Sequence, residues 1–352
     1  MKAIGIVPGR PETAGVIEVP EPPLSDGSLL VGTRLIGVCG TDVEIAVDGY
    51  GAPPPGEERL ILGHESLGEV LEAPDGSGFA PGDLVVGVVR RPDPLPCPAC
   101  AADEWDMCRT GEFTERGIKE RHGYGAERVR LDPRFAVRLD PSLGDLGVLL
   151  EPTSVLAKAL EQAERIGARA WFEPKVVLIT GAGPIGLLGA LLARQRGLET
   201  HVTDLVTDGA KPRLVAELGA HYHSTPVAEL SIEPDIVIEC TGIGELARNV
   251  TRIAAPGAVV ALTGISHSDR IASDARLDLM NKTLVLGNKV LFGSVNAARR
   301  HYDQAADALA KADPDWLSQL ITRRLALGDW PAALHKGPDD IKTVIDMTDA
   351  SS

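Results

Sequence analysis

The run Val176-Val177-Leu178-Ile179-Thr180 leads directly into Gly181-Ala182-Gly183-Pro184-Ile185-Gly186, and an apolar helical pattern from Leu187 to Arg196 follows. A buried strand, a glycine turn and a helix in that order leave few topologies open. The first glycine makes the tight turn, the second lets a ligand approach the backbone, and the third lets helix and strand pack closely. Downstream, His201-Val202-Thr203-Asp204, Asp235 to Glu239, Ala258 to Leu262 and Lys289 to Gly293 read as further strands between helical stretches. That alternation predicts a doubly wound α/β sheet of parallel strands. A dinucleotide is expected at Gly181, Gly183, Pro184, Ile185 and Gly186, with its pyrophosphate on the helix amino terminus.

Asp204 lies 18 residues beyond Gly186, at the end of the next strand. A carboxylate there accepts ribose hydroxyls and repels a 2′-phosphate, and Leu205 rather than arginine follows it. NAD is therefore favoured over NADP, although Lys211 and Arg213 nearby could rescue the phosphate.

The first 150 or so residues have another texture, with short β-type runs such as Leu29 to Ile36 and Leu84 to Val89. Ser25-Asp26-Gly27 and Pro81-Gly82-Asp83 punctuate them as turns. A compact, mostly β domain is expected over 1–155 and a dinucleotide domain over 156–296, with a helix from 154 to 165 at the junction. Residues 297–311 read as an amphipathic helix. The last strand-like run, Asp340 to Ile345, is expected to return to the first domain, because the parallel sheet is already complete.

Within the β-rich part stand Cys39-Gly40-Thr41-Asp42 and Gly63-His64-Glu65-Ser66-Leu67-Gly68, and Glu151 follows before the glycine turn. Thiolate, imidazole and carboxylate form a mixed donor set that favours zinc with a position left open for substrate. An open zinc beside a nicotinamide implies oxidation of an alcohol or aldose by hydride transfer.

The sequence holds 50 acidic and 35 Lys or Arg residues, a formal net charge of −15. Such a surface repels nucleic acid and anionic membranes. The amino terminus lacks the apolar core of a signal peptide and no run reaches the length of a membrane span, so a cytoplasmic protein with reduced thiols is expected.

The chain resembles the zinc-dependent medium-chain alcohol dehydrogenases, and within them the glucose 1-dehydrogenases of archaea and bacteria. The broad likeness rests on Gly63-His64-Glu65, Gly82-Asp83-Leu84-Val85, His122-Gly123-Tyr124-Gly125-Ala126-Glu127 and the glycine turn. The narrower one rests on the stretch from Asp106 to Ile118, on Gly293-Ser294-Val295-Asn296-Ala297, and on Arg299-Arg300-His301-Tyr302. The resemblance implies a GroES-like catalytic domain completed by residues 297–352, with a Rossmann domain inserted. Cys39 and His64 are then fixed zinc ligands, and Glu65 and Glu151 alternate as ligand or supporting group. Thr41 relays the substrate proton, and Glu115 binds sugar hydroxyls. Thr241, Gly264, Ser294 and Asn296 touch the cofactor, Asn296 also the sugar, and a homodimer or homotetramer is implied. The edge strand Lys289 to Gly293 could pair across a two-fold axis.

Several positions depart from the family. Arg90 stands where the family has an asparagine and could still bond sugar oxygens or a phosphate, and Val155 stands where it has an acidic residue, so the sugar need not be glucose. In the loop that carries a four-cysteine structural zinc in some relatives, only Cys97, Cys100 and Cys108 remain, with Pro94 in the first cysteine's place. Either Asp93 or Asp103 completes a second zinc site, or the loop is metal-free. Cys240 reads as a buried thiol, and His201, His221, His223, His267 and His335 show no ligand spacing. His301 approaches the site by the resemblance, whereas the residues alone ask only for helix packing. Two other functions remain open, a polyol or secondary-alcohol dehydrogenase and a non-catalytic dinucleotide-binding protein. The stretch Glu112-Phe113-Thr114-Glu115 speaks against the first, and the presence of Cys39, Thr41, His64 and Glu151 together against the second.

Overall fold

The computed structural model describes residues 1–266, 277–337 and 339–348; His267 lies outside them. Contacts divide the chain into Met1–Ser154 with Asn296–Ser352, and Val155–Val295.

The first unit opens with β1 (Lys2–Val7), β2 (Arg10–Glu18), β3 (Leu29–Val38) and a short helix α1 (Gly40–Val47). Then come β4 (Leu60–Ile61), β5 (Glu65–Glu72), β6 (Leu84–Gly87) and β7 (Arg90–Arg91). A single helical turn α2 (Pro98–Ala101) precedes β8 (Thr114–Arg116), β9 (Glu120–Arg121), β10 (Arg128–Leu131) and β11 (Ala136–Arg138). Along β3 buried and half-buried residues alternate, the pattern of a strand with one face on the core. Ile4, Ile6, Leu29, Val31, Ile36, Leu60 and Tyr124 meet in that core.

Helix α3 (Leu150–Gly167) starts four residues earlier than the sequence pattern suggests. Pro152 hid its start; a proline fits the first helical turn, where its missing N–H would have no partner anyway. Glu151 therefore lies on a helix.

The second unit carries β12 (Val176–Thr180), α4 (Pro184–Gln195), β13 (Glu199–Thr203), α5 (Ala210–Glu217), β14 (His221–His223), β15 (Ile236–Glu239) and α6 (Gly244–Ile253). β16 (Val259–Leu262), α7 (Leu277–Gly287) and β17 (Val290–Gly293) complete it. Its strands lie in the order β14-β13-β12-β15-β16-β17, every pair parallel. β12 and β15 are buried almost throughout, as strands covered on both faces must be. This is the expected doubly wound sheet.

The chain then returns to the first unit through α8 (Arg299–Ala310), α9 (Pro314–Ser318), β18 (Ile321–Ala326) and β19 (Lys342–Asp346). β19 pairs antiparallel with β3, Thr343 facing Val38, and parallel with β18. The order β11-β6-β5-β3-β19-β18 thus places the last strand beside β3, so the return of the chain is met. Val344 and Ile345 are buried there, worth about 1.5–3 kcal/mol each in apolar burial.

Candidate functional site

Cys39 follows β3 and caps α1: its sulfur accepts from the backbone N–H of Thr41 at 3.3 Å, while its own N–H donates to Asp42 Oδ2 at 2.9 Å. His64, just before β5, places Nε2 2.9 Å from Cys39 Sγ. Its Nδ1 stands 3.5 Å from Asp42 Oδ1, so a buried carboxylate sits behind the ring as in metal-bound histidines. Burial alone would lower the His64 pKa, but the Cys39 and Asp42 charges hold it well above the usual histidine value.

Cys39, His64 and Glu65 offer ligand atoms within 4.8 Å of one another. Glu151 is outside that triplet but close enough to interact with the charges of His64, Glu65 and Lys342. Burial and the Glu65 charge raise its carboxyl to about 7. Buried acids crowded around a thiol–imidazole pair fit a divalent cation, which would relieve their mutual repulsion.

Sequence reasoning missed Lys342. It is buried on β19, its ammonium paired with Glu65 Oε2 and donating to the carbonyl of Val38 at 3.1 Å. Gly37 leaves the space Glu65 occupies, since a Cβ there would overlap Glu65 Oε2. The available signal was a lysine just ahead of the apolar Val344-Ile345 pair, in a strand expected to return to the first domain.

Arg90, Glu115 and Asn296 meet in the same unit. Glu115 Oε1 accepts from Arg90 Nε at 3.0 Å and from Asn296 Nδ2 at 2.8 Å, and all three residues are buried. Arg90 also donates to the carbonyl of Asp106 at 3.0 Å and lies 3.8 Å from the ring centre of Phe113. The guanidinium charge is thereby spent on Glu115. Asn296 holds a positive φ of 60°, a region asparagine tolerates. His301 accepts the N–H of Ala298 at Nδ1, 3.0 Å away, and so caps α8.

In the cysteine loop, Asp93, Cys97, Cys100 and Cys108 bring four ligand atoms within 4.8 Å. Asp93 Oδ1 accepts from Cys108 Sγ at 2.8 Å and Oδ2 from Thr110 at 2.6 Å. The Cys108 and Thr110 donors pull the Asp93 pKa down to about 2. Asp103 is not part of this cluster.

In the second unit Gly181 has a φ of 85°, and a Cβ at Gly186 would collide with the Gly181 carbonyl. Gly183 caps α4 without a side-chain partner and has open space where a Cβ would stand. The cradle suits a pyrophosphate. Pro184 is the first helical residue, which is why α4 starts before Leu187.

Asp204 Oδ2 accepts from the N–H of Ala182 at 2.7 Å and pairs with Lys211 at 3.2 Å. Burial works against its charge, but these contacts outweigh it and hold its pKa low. Glu239, also missed, accepts from Thr180, the Thr241 N–H and the Gly242 N–H, and so fixes the Cys240-Thr241-Gly242 turn. Gly264 packs so closely on that turn that a Cβ would meet the Gly242 nitrogen. Ser294 Oγ is buried without a hydrogen-bond partner among the described residues. Burial raises the Cys240 thiol to about 12, which rules against a nucleophile.

A β-rich unit with a Cys-His-Glu constellation and a second unit built on a glycine-turn parallel sheet define the class: a zinc-dependent medium-chain dehydrogenase. Residues 25–141 match the alcohol dehydrogenase GroES-like domain and residues 144–347 the glucose dehydrogenase C-terminus. The chain is 38% identical over 353 residues to glucose 1-dehydrogenase 2 of Vulcanisaeta moutnovskia, covering 99% of each. The same identity and coverage hold over 360 residues for the glucose 1-dehydrogenase of Methanocella arvoryzae. The Haloferax mediterranei glucose dehydrogenase, solved with NADP, Zn and gluconolactone, superposes with a TM-score of 0.90 at 32% identity, over 98% of this chain and 99% of that one. The chain belongs to the glucose dehydrogenase family of zinc-dependent, NAD(P)-linked oxidoreductases.

Proposed function

We propose that this enzyme oxidises C1 of an unphosphorylated aldopyranose of the glucose type to the lactone, passing hydride to NAD(P). The buried Arg90–Glu115–Asn296 network carries the reading. It offers polar atoms for sugar hydroxyls, while the pairing of Arg90 with Glu115 leaves little net charge to attract a sugar phosphate. Zinc would be held by Cys39 and His64 with Glu65 and Glu151 in support; when bound it supplies Lewis-acid polarisation of the anomeric hydroxyl, and the nicotinamide supplies the hydride acceptor. Thr41 hands the hydroxyl proton on toward solvent. Glu115 and Asn296 bind the sugar hydroxyls and orient the ring. NAD is the favoured cofactor because of the Asp204 carboxylate; NADP is accepted too because Lys211 offsets that charge, in keeping with the NADP-bound relative.

Asp93, Cys97, Cys100 and Cys108 hold a second, structural zinc in this reading, a Cys₃Asp set with Asp93 in the role of a fourth thiolate. Two copies of the chain pair through β17, an edge strand of its sheet, with α7, which precedes it in the chain, exposing Leu277, Val285 and Leu286. No described helix is long and apolar enough to cross a membrane.

The test is NAD(P)H formation across aldoses, alditols, sugar phosphates and simple alcohols, with zinc counted by mass spectrometry. Aldose oxidation with two zinc ions per chain is the expected result. Turnover of alditols alone would replace this reading with a polyol dehydrogenase.

A further inference from the structure

Far along the sequence from the catalytic residues, the dinucleotide unit gathers three imidazoles and a carboxylate on one face of its sheet. Glu199 and His201 alternate along β13, and His221 and His223 alternate along β14, the strand at the sheet's edge. His201 pairs in register with His221, so the two project side by side, and residues two apart share a face. The rings stack: His201 lies 4.8 Å from His221 and 5.1 Å from His223 between centroids. Ligand atoms of Glu199, His201 and His221 fall within 4.8 Å of one another.

We propose that Glu199, His201 and His221 form a divalent transition-metal site, distinct from both the Cys39–His64 and the Cys97 clusters, with His223 as its positioning residue. Two imidazoles and a carboxylate suit Zn²⁺, Ni²⁺ or Cu²⁺ rather than Mg²⁺ or Ca²⁺, which prefer all-oxygen sets. Three protein ligands leave room for water, as in open sites. His201 Nε2 already faces Glu199 Oε1 at 3.0 Å, and its Nδ1 faces His223 Nε2 at 2.8 Å. When Nε2 binds metal, the ring keeps its proton on Nδ1 and donates it to His223. That fixes the tautomer and orientation, the role a second histidine or carboxylate plays behind most metal-bound imidazoles.

Accessibility supports the assignment. His201 is buried and held in place, whereas Glu199 and His221 are exposed. An ion can therefore enter from solvent and meet one rigid ligand and two adaptable ones. Once bound it ties β14 to β13 beyond their backbone ladder, just before Asp204, whose N–H already donates to the His223 carbonyl at 3.1 Å. The ion thus stiffens the strand end that carries the ribose-binding carboxylate.

The experiment uses untagged, zinc-loaded full-length enzyme titrated with NiCl₂ by calorimetry, with zinc content and melting temperature followed in the same samples. One Ni²⁺ per chain is expected to bind without zinc release and to raise Tm by about 5–11 °C at hundredfold excess over Kd. Glu199→Gln and His221→Gln should each weaken binding at least about tenfold and abolish the Tm rise, with zinc content and dehydrogenase activity unchanged. His223→Gln should weaken it about tenfold through the orientation of His201. Nickel uptake matched by zinc release, no saturable uptake, or wild-type affinity in the Glu199→Gln/His221→Gln double variant would each overturn the site. Both double-variant positions are exposed, so the variant keeps its fold, and its unliganded Tm verifies that.

Discussion

Replacing Lys342 by methionine isolates the buried charge pair at the heart of the catalytic unit. The side chains of Lys342 and Glu65 retain 1% and 2% exposure, so neither ion is solvated by water. Methionine fills much of the same volume but leaves the Glu65 carboxylate buried without its counter-charge, and the Val38 carbonyl without its donor. Breaking such a pair costs about 3–5 kcal/mol. For a unit of roughly 200 residues that corresponds to a Tm lowered by about 6–20 °C. The wild-type contribution is stable across neutral pH. Burial disfavours the ammonium, but Glu65 and the Cys39 and Glu151 charges outweigh it and raise its pKa. A raised lysine pKa means that stability is lost only as pH climbs above about 10.5. The assay is scanning calorimetry of Lys342→Met, Glu65→Gln and the double variant at pH 7.5, each checked for zinc content. The double variant should recover more than half of the loss, because no unpaired ion remains. A single variant within about 1 kcal/mol of wild type, or a double variant as unstable as Lys342→Met, would refute the reasoning.

Glu151 gives a pH signature in chelator-treated enzyme. Its folded carboxyl releases its proton near 7 while the unfolded one does so near 4.5, so stability should decline as pH rises between those values, and Glu151→Gln should flatten the decline in denaturation curves. Lys211→Met leaves the Asp204 carboxylate without its screening cation; kcat/KM with NADP should fall about tenfold relative to NAD, measured in parallel assays. Asn296→Gly keeps the positive φ but removes the amide from Glu115, and should raise the sugar KM about tenfold, as steady-state kinetics would reveal.

Much of the architecture was legible because it rests on local patterns. The strand–glycine–helix unit announced itself, and the return of the last strand followed from a sheet already complete. The Cys39 and His64 pair was legible because each sits in a short motif. What stayed hidden depends on pairing across long separations. Lys342 is 277 residues from Glu65, and no local pattern connects them. The histidines at 201, 221 and 223 looked unrelated until β14 paired in register with β13. Arg90 seemed free for substrate oxygens, and its pairing with Glu115 depended on the β7–β8 register. Asp93 rather than Asp103 joined the cysteines, although Asp103 lies nearer to them along the chain, in the turn after α2. Helix starts moved wherever a proline occupied the first turn.

The placement of β19 beside β3 also has a consequence for how the protein is made. On a ribosome the second unit is one continuous stretch and can close on itself as it emerges. The first unit cannot: Glu65 waits for a partner 277 residues later, roughly 15–55 s at ordinary rates of synthesis. During that interval β3 has an open edge and the Cys39–His64 pair lacks the strand behind it. Capture of metal before the last strand arrives would occur on an incomplete frame, so zinc loading and completion of the polypeptide become linked in time.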